Sequence, residues 1–302
     1  MTNASGTPYL VIGATGQHGS TGRYVAERLM ADGKSVRALV RRDDERAAHL
    51  RALGAETIVG DLHDRSSLLP ALQDVATAFF VYPVASGIVE AAANFASAAR
   101  HSGLQRVVVM SMAASNPESP SPLGKAQWLA EEVLEWAGLA CLHLRILAFF
   151  YENIELLHAR SIRDANVIRN SFGDVAVNWI SGEDAALLAY SALVSPEKFG
   201  TQTTVYPSGG ERLSFARIAE MLSEKLGRQI RYETVSQSIW EGELVELADT
   251  IPQINPGMAK HISSLGAAIK EAFPSNNMFE SVVGRRPQTL ADLLAAGSLG
   301  IA

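Results

Sequence analysis

The sequence predicts an α/β protein: a doubly wound parallel sheet carrying a smaller, mostly helical C-terminal region. Three observations lead there. Short apolar runs alternate with amphipathic stretches through the first half of the 302 residues, the pattern of βαβ units. The first apolar run leads straight into a glycine-rich turn and a helical pattern. After about residue 150 the alternation gives way to longer helical periodicities.

Taken in order, strands are expected at 9–12, 36–40, 56–59, 77–81, 106–110 and 141–144, apolar on both faces as a covered sheet requires. Between them helices are expected at 22–32, 44–53, 66–72, 88–102 and 125–137. Gly33, Gly54, Gly103 and Gly138 stand where four of these would stop. Beyond them, 151–170 reads as one helix, 176–180 as a strand, 184–194 as a helix and 203–206 as a strand. A helix at 214–226 has Ser214 placed to cap it, and 231–235 reads as a strand. The remainder is mostly helical, broken at Pro252, Pro256, Pro274 and Pro287. No repeat or long linker interrupts the chain.

Composition excludes several function classes. The formal charge of −6 gives no global positive field to draw nucleic acid or anionic lipid. Cys141 is the single cysteine, so an intramolecular disulfide and a cysteine-based zinc site are both excluded, and no metal is expected. Its setting, Leu139-Ala140-Cys141-Leu142, reads as buried strand. Residues 1–7 lack the basic-then-apolar pattern of a signal peptide. The longest apolar stretch, 139–151, contains His143 and Arg145 and is too short to span a bilayer. A cytoplasmic protein with neither a membrane nor a nucleic-acid partner is expected; the oligomeric state is not legible.

Leu10-Val11-Ile12-Gly13-Ala14-Thr15-Gly16 runs from strand to glycine turn to helix. Glycines there allow a tight turn and close approach of a pyrophosphate, and the helix start supplies free N–H groups. This is the context of a Rossmann dinucleotide site. Gly13, Thr15, Gly16, Gln17, His18, Gly19 and Gly22 are the loop candidates, with Gly19 and Gly22 both placed to serve as the third glycine. The second strand ends Val40-Arg41-Arg42, with Arg37 before it, where an NAD site usually carries an acid. A guanidinium there matches the extra phosphate of NADP, so NADP(H) is the expected cofactor, bound as NADPH. Asp43 and Asp44 read as the start of the next helix. Gly60-Asp61-Leu62 closes the third strand, and Asp61 is placed either to accept from the adenine amine or to cap the following helix.

These segments together resemble the NmrA-like family of atypical short-chain dehydrogenase/reductases. The resemblance continues through Arg106 to Ser111, Gly138 to Arg145, Tyr151-Glu152-Asn153 and Trp179-Ile180 with Asp184. It closes on Val283-Gly284-Arg285-Arg286-Pro287-Gln288-Thr289-Leu290. Gly22-Arg23-Tyr24-Val25 and Ser121-Pro122-Leu123-Gly124 look like the quinone reductase branch, which includes triphenylmethane dye reductases. The resemblance implies a cofactor domain of residues 1–153 plus about 176–206, and a smaller substrate region of about 154–175 and 207–302. Tyr82 and Pro83 after the fourth strand, Met112 after the fifth, and Phe149, Phe150 and Tyr151 after the sixth stand at successive strand ends, either as walls of a cofactor and substrate slot or as ordinary core. Leu62 and Ser111 are further cofactor candidates, Asn153 and Trp179 further pocket candidates.

Catalysis needs separate argument. Ordinary short-chain dehydrogenases set a tyrosine four residues before a lysine, the phenol protonating the substrate. Lys125 is present here, but Ser121 holds the tyrosine position. Reductases of the wider family that keep a lysine have it at the position of Gln127, and two residues turn a helix by about 200°. Lys125 is thus either catalytic or a surface lysine. A quinone or similar conjugated carbonyl asks for little acid catalysis, only a dry slot beside the nicotinamide. Tyr82 after the fourth strand is the expected wall of that slot. Two functions remain open: an NADPH-dependent reductase acting on such a small molecule, or a dinucleotide sensor acting through a protein partner.

Overall fold

The computed structural model describes residues 6–16, 19–271 and 276–301. Its first half is a βα alternation: β1 (Tyr9–Ile12), α1 (Thr21–Ala31), β2 (Val36–Val40), α2 (Glu45–Ala52), β3 (Glu56–Val59), α3 (Arg65–Leu72), β4 (Thr77–Phe80), α4 (Ile88–Ser102), β5 (Arg106–Met112), α5 (Pro122–Trp136) and β6 (Ala140–Ile146). There follow β7 (Phe149–Phe150), α6 (Glu152–Ala165), β8 (Val167–Asn170), β9 (Val177–Ile180), α7 (Gly182–Val194), β10 (Thr204–Val205), β11 (Glu211–Leu213), α8 (Phe215–Leu226) and β12 (Arg231–Thr234). The chain ends in α9 (Gln237–Ala248), α10 (Pro256–Ala268), α11 (Met278–Val283) and α12 (Leu290–Ala296).

Seven strands form a parallel sheet in the order β10-β6-β5-β4-β1-β2-β3. The alternation of side chains along each strand builds two cores. Tyr9, Val11, Val36, Ala38, Phe79, Val108 and Leu142 face one way, toward α1 and α7. Leu10, Ile12, Ala78, Phe80, Val107, Val109 and Cys141 face the other, toward α3, α4 and α5. Cys141 is thus a packing residue, and burial pushes its thiol up to about 12. The strand order reverses between β1 and β4, which opens a crevice outside their carboxyl ends.

The region after β6 departs from the expected single helix over 151–170. Asn166 takes a left-handed conformation (φ 52°), stopping α6, and β8 then pairs in parallel with β12. β9 pairs with β7 and β11 in a separate three-stranded sheet rather than with the large one. These elements enclose a third core, in which Tyr151, Phe172, Trp179, Phe215 and Trp240 meet. Ser214 caps α8 as expected.

The Val283–Leu290 segment fastens this region to the sheet. Arg285 donates to the fully buried Asp184 (2.6 Å), and the Gln288 N–H donates to its other oxygen (2.6 Å). Ser181 donates to the Gln288 amide oxygen, while the Leu290 N–H and the Tyr151 hydroxyl both donate to Glu211. Each acceptor is therefore paired, as burial demands. Among the described residues no helix is long and apolar enough to cross a membrane, and no cluster of His, Cys, Asp or Glu is placed to hold a metal.

Candidate functional site

The loop after β1 is built by what glycine leaves out. Gly13 adopts φ +77°, and a Cβ there would lie 2.5 Å from Val81. The Gly16 N–H donates to the Gly13 carbonyl (2.9 Å), closing a tight turn, and a Gly16 Cβ would lie 3.0 Å from that carbonyl oxygen. A side chain at Gly22, in the first turn of α1, would collide with the Gly13 carbonyl, so the helix start rests directly on the turn. That close packing is the role of a third glycine. Gly19 is occupied otherwise: the Phe150 ring lies against it, and Gly182 of α7 backs onto its carbonyl. Gln17 and His18 lie outside the described residues. The turn and helix start together leave the backbone-lined cradle that a pyrophosphate needs.

At the end of β2, Arg41 and Arg42 are exposed and make no hydrogen bond or ion pair among the described residues. Arg37 is placed differently, correcting the expectation that it reads the cofactor. It lies near the amino end of β2, opposite Glu56, and donates to that carboxylate (2.7 Å) and to the Ala71 and Gln73 carbonyls. Its guanidinium is spent on fastening β2 to β3 and α3.

A residue the sequence reading missed, Arg46, reaches the loop instead. Asp44 caps α2, which puts Arg46 on the first turn, where it pairs with Asp44 and donates to the Thr15 carbonyl (3.0 Å). Thr15, Gly16, Arg23, Arg46, His49 and Gln253 line a cavity of about 480 Å³ here. The signal was the spacing from cap to arginine, legible once the helix start is fixed. A larger hollow, about 540 Å³, lies between the late turns of α4 and α5 beside Trp136, away from the carboxyl edge.

After β3, Asp61 accepts the His63 N–H (2.9 Å), and the cap of α3 is Asp64. Leu62 is buried beneath them. Tyr82 follows β4, as expected, and its hydroxyl is engaged by its neighbours. It donates to the Ser86 carbonyl (3.0 Å), and its oxygen lies 2.9 Å from His63 Nε2, whose Nδ1 lies 3.2 Å from Glu90. Its phenol thus turns toward the β3 side, held by its neighbours; burial and the nearby Asp61 charge raise its pKa. Pro83 is exposed next to it.

At the ends of β5 and β6 a buried carboxylate organises the polar groups. Glu131 accepts from Ser111, from Ser115 (2.9 Å) and from Arg145 Nε (3.0 Å), and Arg145 also donates to the Tyr206 hydroxyl (2.7 Å). Met112, half-buried, follows Ser111. On α5, Gln127 and Glu131 share the buried face while Lys125 is exposed. Lys125 is therefore a surface lysine, on a different face of α5 from Gln127.

Two of the expected pocket residues are core. Tyr151 and Trp179 stack at 5.8 Å with essentially no exposure. Phe149 and Phe150 are half-buried, Phe149 edge-on to Phe172 at 5.0 Å. Asn153 is half-buried with its Oδ1 sealed and unpartnered. Beside it Glu152 accepts the Gly182 N–H through Oε1, its other oxygen is sealed, and burial raises its pKa.

The C-terminal region reaches this edge through α10. Asn255, its cap, donates to the Val84 carbonyl (3.0 Å), and a Cβ on Gly257 would touch Ser86 and Leu123. One turn on, His261 Nδ1 lies 2.6 Å from Ser121 Oγ, the cap of α5. No local pattern announces His261; it arrives by tertiary packing.

Comparison with known proteins agrees with this architecture. The model of the NmrA-like family matches residues 8–272. The chain is 33% identical over 231 residues to an NAD(P)H azoreductase of Xenophilus azovorans, covering 75% of this chain and 77% of that protein. Its fold is similar to that of an NADPH-dependent quinone oxidoreductase from Escherichia coli complexed with NADPH (TM-score 0.80, 22% identity, 96% and 99% of the two chains). It is similar also to a Citrobacter triphenylmethane reductase complexed with NADP(H) (TM-score 0.78, 22% identity, 95% and 99%). By the family match and the azoreductase relative, the chain belongs to the NmrA-like family.

Proposed function

We propose that the protein is an NAD(P)H-dependent oxidoreductase that takes NADPH and reduces a quinone or a similar conjugated acceptor. The observation that supports the cofactor is the close packing of Gly13, Gly16 and Gly22, where side chains would collide with Val81 or with the turn's own backbone, flanked by the exposed Arg41 and Arg42. The cofactor supplies hydride; the chain's residues bind, orient and exclude water. Arg41, Arg42 and Arg46 take the ribose phosphate, with Asp61 on the adenine side. Met112, Phe149 and Phe150 wall the slot.

The hydroxyls at this edge support an electron-poor acceptor. Those of Ser111 and Ser115 are given to Glu131, that of Tyr82 to Ser86 and that of Tyr151 to Glu211. None of these four stands free to act as the phenol of an ordinary dehydrogenase does; the Tyr206 hydroxyl, further along the edge, accepts from Arg145 (2.7 Å). The same observation favours a second reading, a dinucleotide-binding regulator that turns nothing over. NADPH consumption against a panel of quinones and azo compounds separates the two. The reductase reading expects NADPH oxidation that outpaces NADH oxidation; tight NADPH binding with no oxidation by any acceptor would establish the regulator.

A further inference from the structure

A buried imidazole is brought to the carboxyl edge by α10. Ser121 and His261 are both buried, Ser121 completely. Ser121 Oγ accepts the Gly124 N–H as the helix cap (3.4 Å) and lies 2.6 Å from His261 Nδ1. No other acceptor among the described residues is available to its hydroxyl proton. A buried O–H without an acceptor is costly, so that proton goes to Nδ1. The ring proton is then on Nε2. That nitrogen makes no hydrogen bond among the described residues, and the residue keeps 7% of its surface exposed. The first turn of α10 lies between Val84 and Ser86 after β4 and Leu123 of α5, beside the crevice at the strand reversal.

We infer that His261, its tautomer fixed by Ser121, is the hydrogen-bond donor of the acceptor slot, its Nε2–H meeting the oxygen on which charge develops as a quinone is reduced. This rests on the reductase reading above. Hydride enters the quinone with its electron pair, the displaced pair collects on the carbonyl oxygen, and water supplies the proton that completes the hydroquinone. The imidazole stays neutral throughout; burial has pushed its pKa down to about 4, so no proton needs to leave it. Ser121 is a positioning residue in this scheme.

Two acceptors of opposite charge behaviour test it. A quinone gains an oxyanion on hydride addition, whereas a cationic triarylmethane dye is neutralised and gains none. Loss of one donor to a developing oxyanion costs about 10²–10³ in rate. His261→Phe should therefore lower kcat on the quinone about a hundredfold and on the dye by less than about threefold, with the NADPH Kd unchanged. His261→Gln, which keeps an N–H near Nε2, should recover much of the quinone rate and guards against misfolding of the first variant. The ring ¹⁵N shifts of the unmodified protein should show the Nε2–H tautomer, and Ser121→Ala should disturb it. Equal losses on both acceptors, no loss on either, or an Nδ1–H ring would overturn the proposal while leaving the reductase reading in place. Reduction of neither acceptor by the unmodified protein would overturn that reading and the role of His261 with it, the ¹⁵N shifts still deciding whether Ser121 sets the ring.

Discussion

At the scale of single residues, backbone and side chains divide the labour at the cofactor edge. Gly16→Val should abolish dinucleotide binding in a protein that still folds, because a Cβ comes within 3.0 Å of the Gly13 oxygen and forces open the turn that would receive the pyrophosphate. Unchanged affinity by titration, with an unaltered circular dichroism spectrum, would place the phosphates elsewhere. Replacing Arg41 and Arg42 by alanine should erode the preference for NADPH over NADH, by about 1.5–3 kcal/mol for each charge-assisted bond lost. Arg37→Ala should leave that preference alone and lower stability, since its partners are Glu56 and two carbonyls; paired titrations and urea melts separate the outcomes. The glycine turn was legible in the sequence because a strand, a turn and a helix start are contiguous. Arg46 and His261 were not, because one reaches the loop across a cap geometry and the other from 140 residues away.

At the scale of elements, α5 shows how little a helix needs to rotate to change its chemistry. Lys125 and Gln127 are two residues apart, yet one is solvated and the other buried. Lys125→Ala should change turnover by less than about twofold, while substituting Glu131 should cost far more. Glu131→Leu strands Arg145, Ser111 and Ser115 in a buried site, and loss of one partner of such a pair costs about 3–5 kcal/mol, readable as a urea midpoint shift. A variant as stable as the parent would show that the pair relaxes into solvent. Most of the first six strands were placed from sequence because they are apolar on both faces; the edge strand β3, with Glu56 and Val59 exposed, was placed by its position before Gly60. β8 was absorbed into the preceding helix, since the periodicity of α6 runs up to Asn166 and its partner β12 lies some sixty residues on. β7 and β11, two and three residues long, are too short to show an alternation.

At the scale of the whole molecule, two buried histidines tie stability to acidity. His158 lies stacked on Trp240 with its pKa lowered by burial to about 3, and His261 is lowered to about 4. Both fall below the ordinary value of about 6.5, so the unfolded chain binds protons that the fold refuses. Their contribution is complete above pH 6.5 and is lost as pH falls toward 4, at about 1.4 kcal/mol per pH unit per histidine. The melting temperature of His158→Leu should therefore vary less between pH 7 and pH 5 than that of the parent, and identical slopes would refute the linkage. Elsewhere in the fold, the cavity beside the glycine turn has Gln253 on its rim together with Thr15 and Arg46, residues from opposite ends of the chain. A ligand seated there works as a rivet. On adding NADPH, amide deuterium uptake should slow in the turn and in the 249–255 segment together, two peptides with no sequence in common reporting a single occupancy.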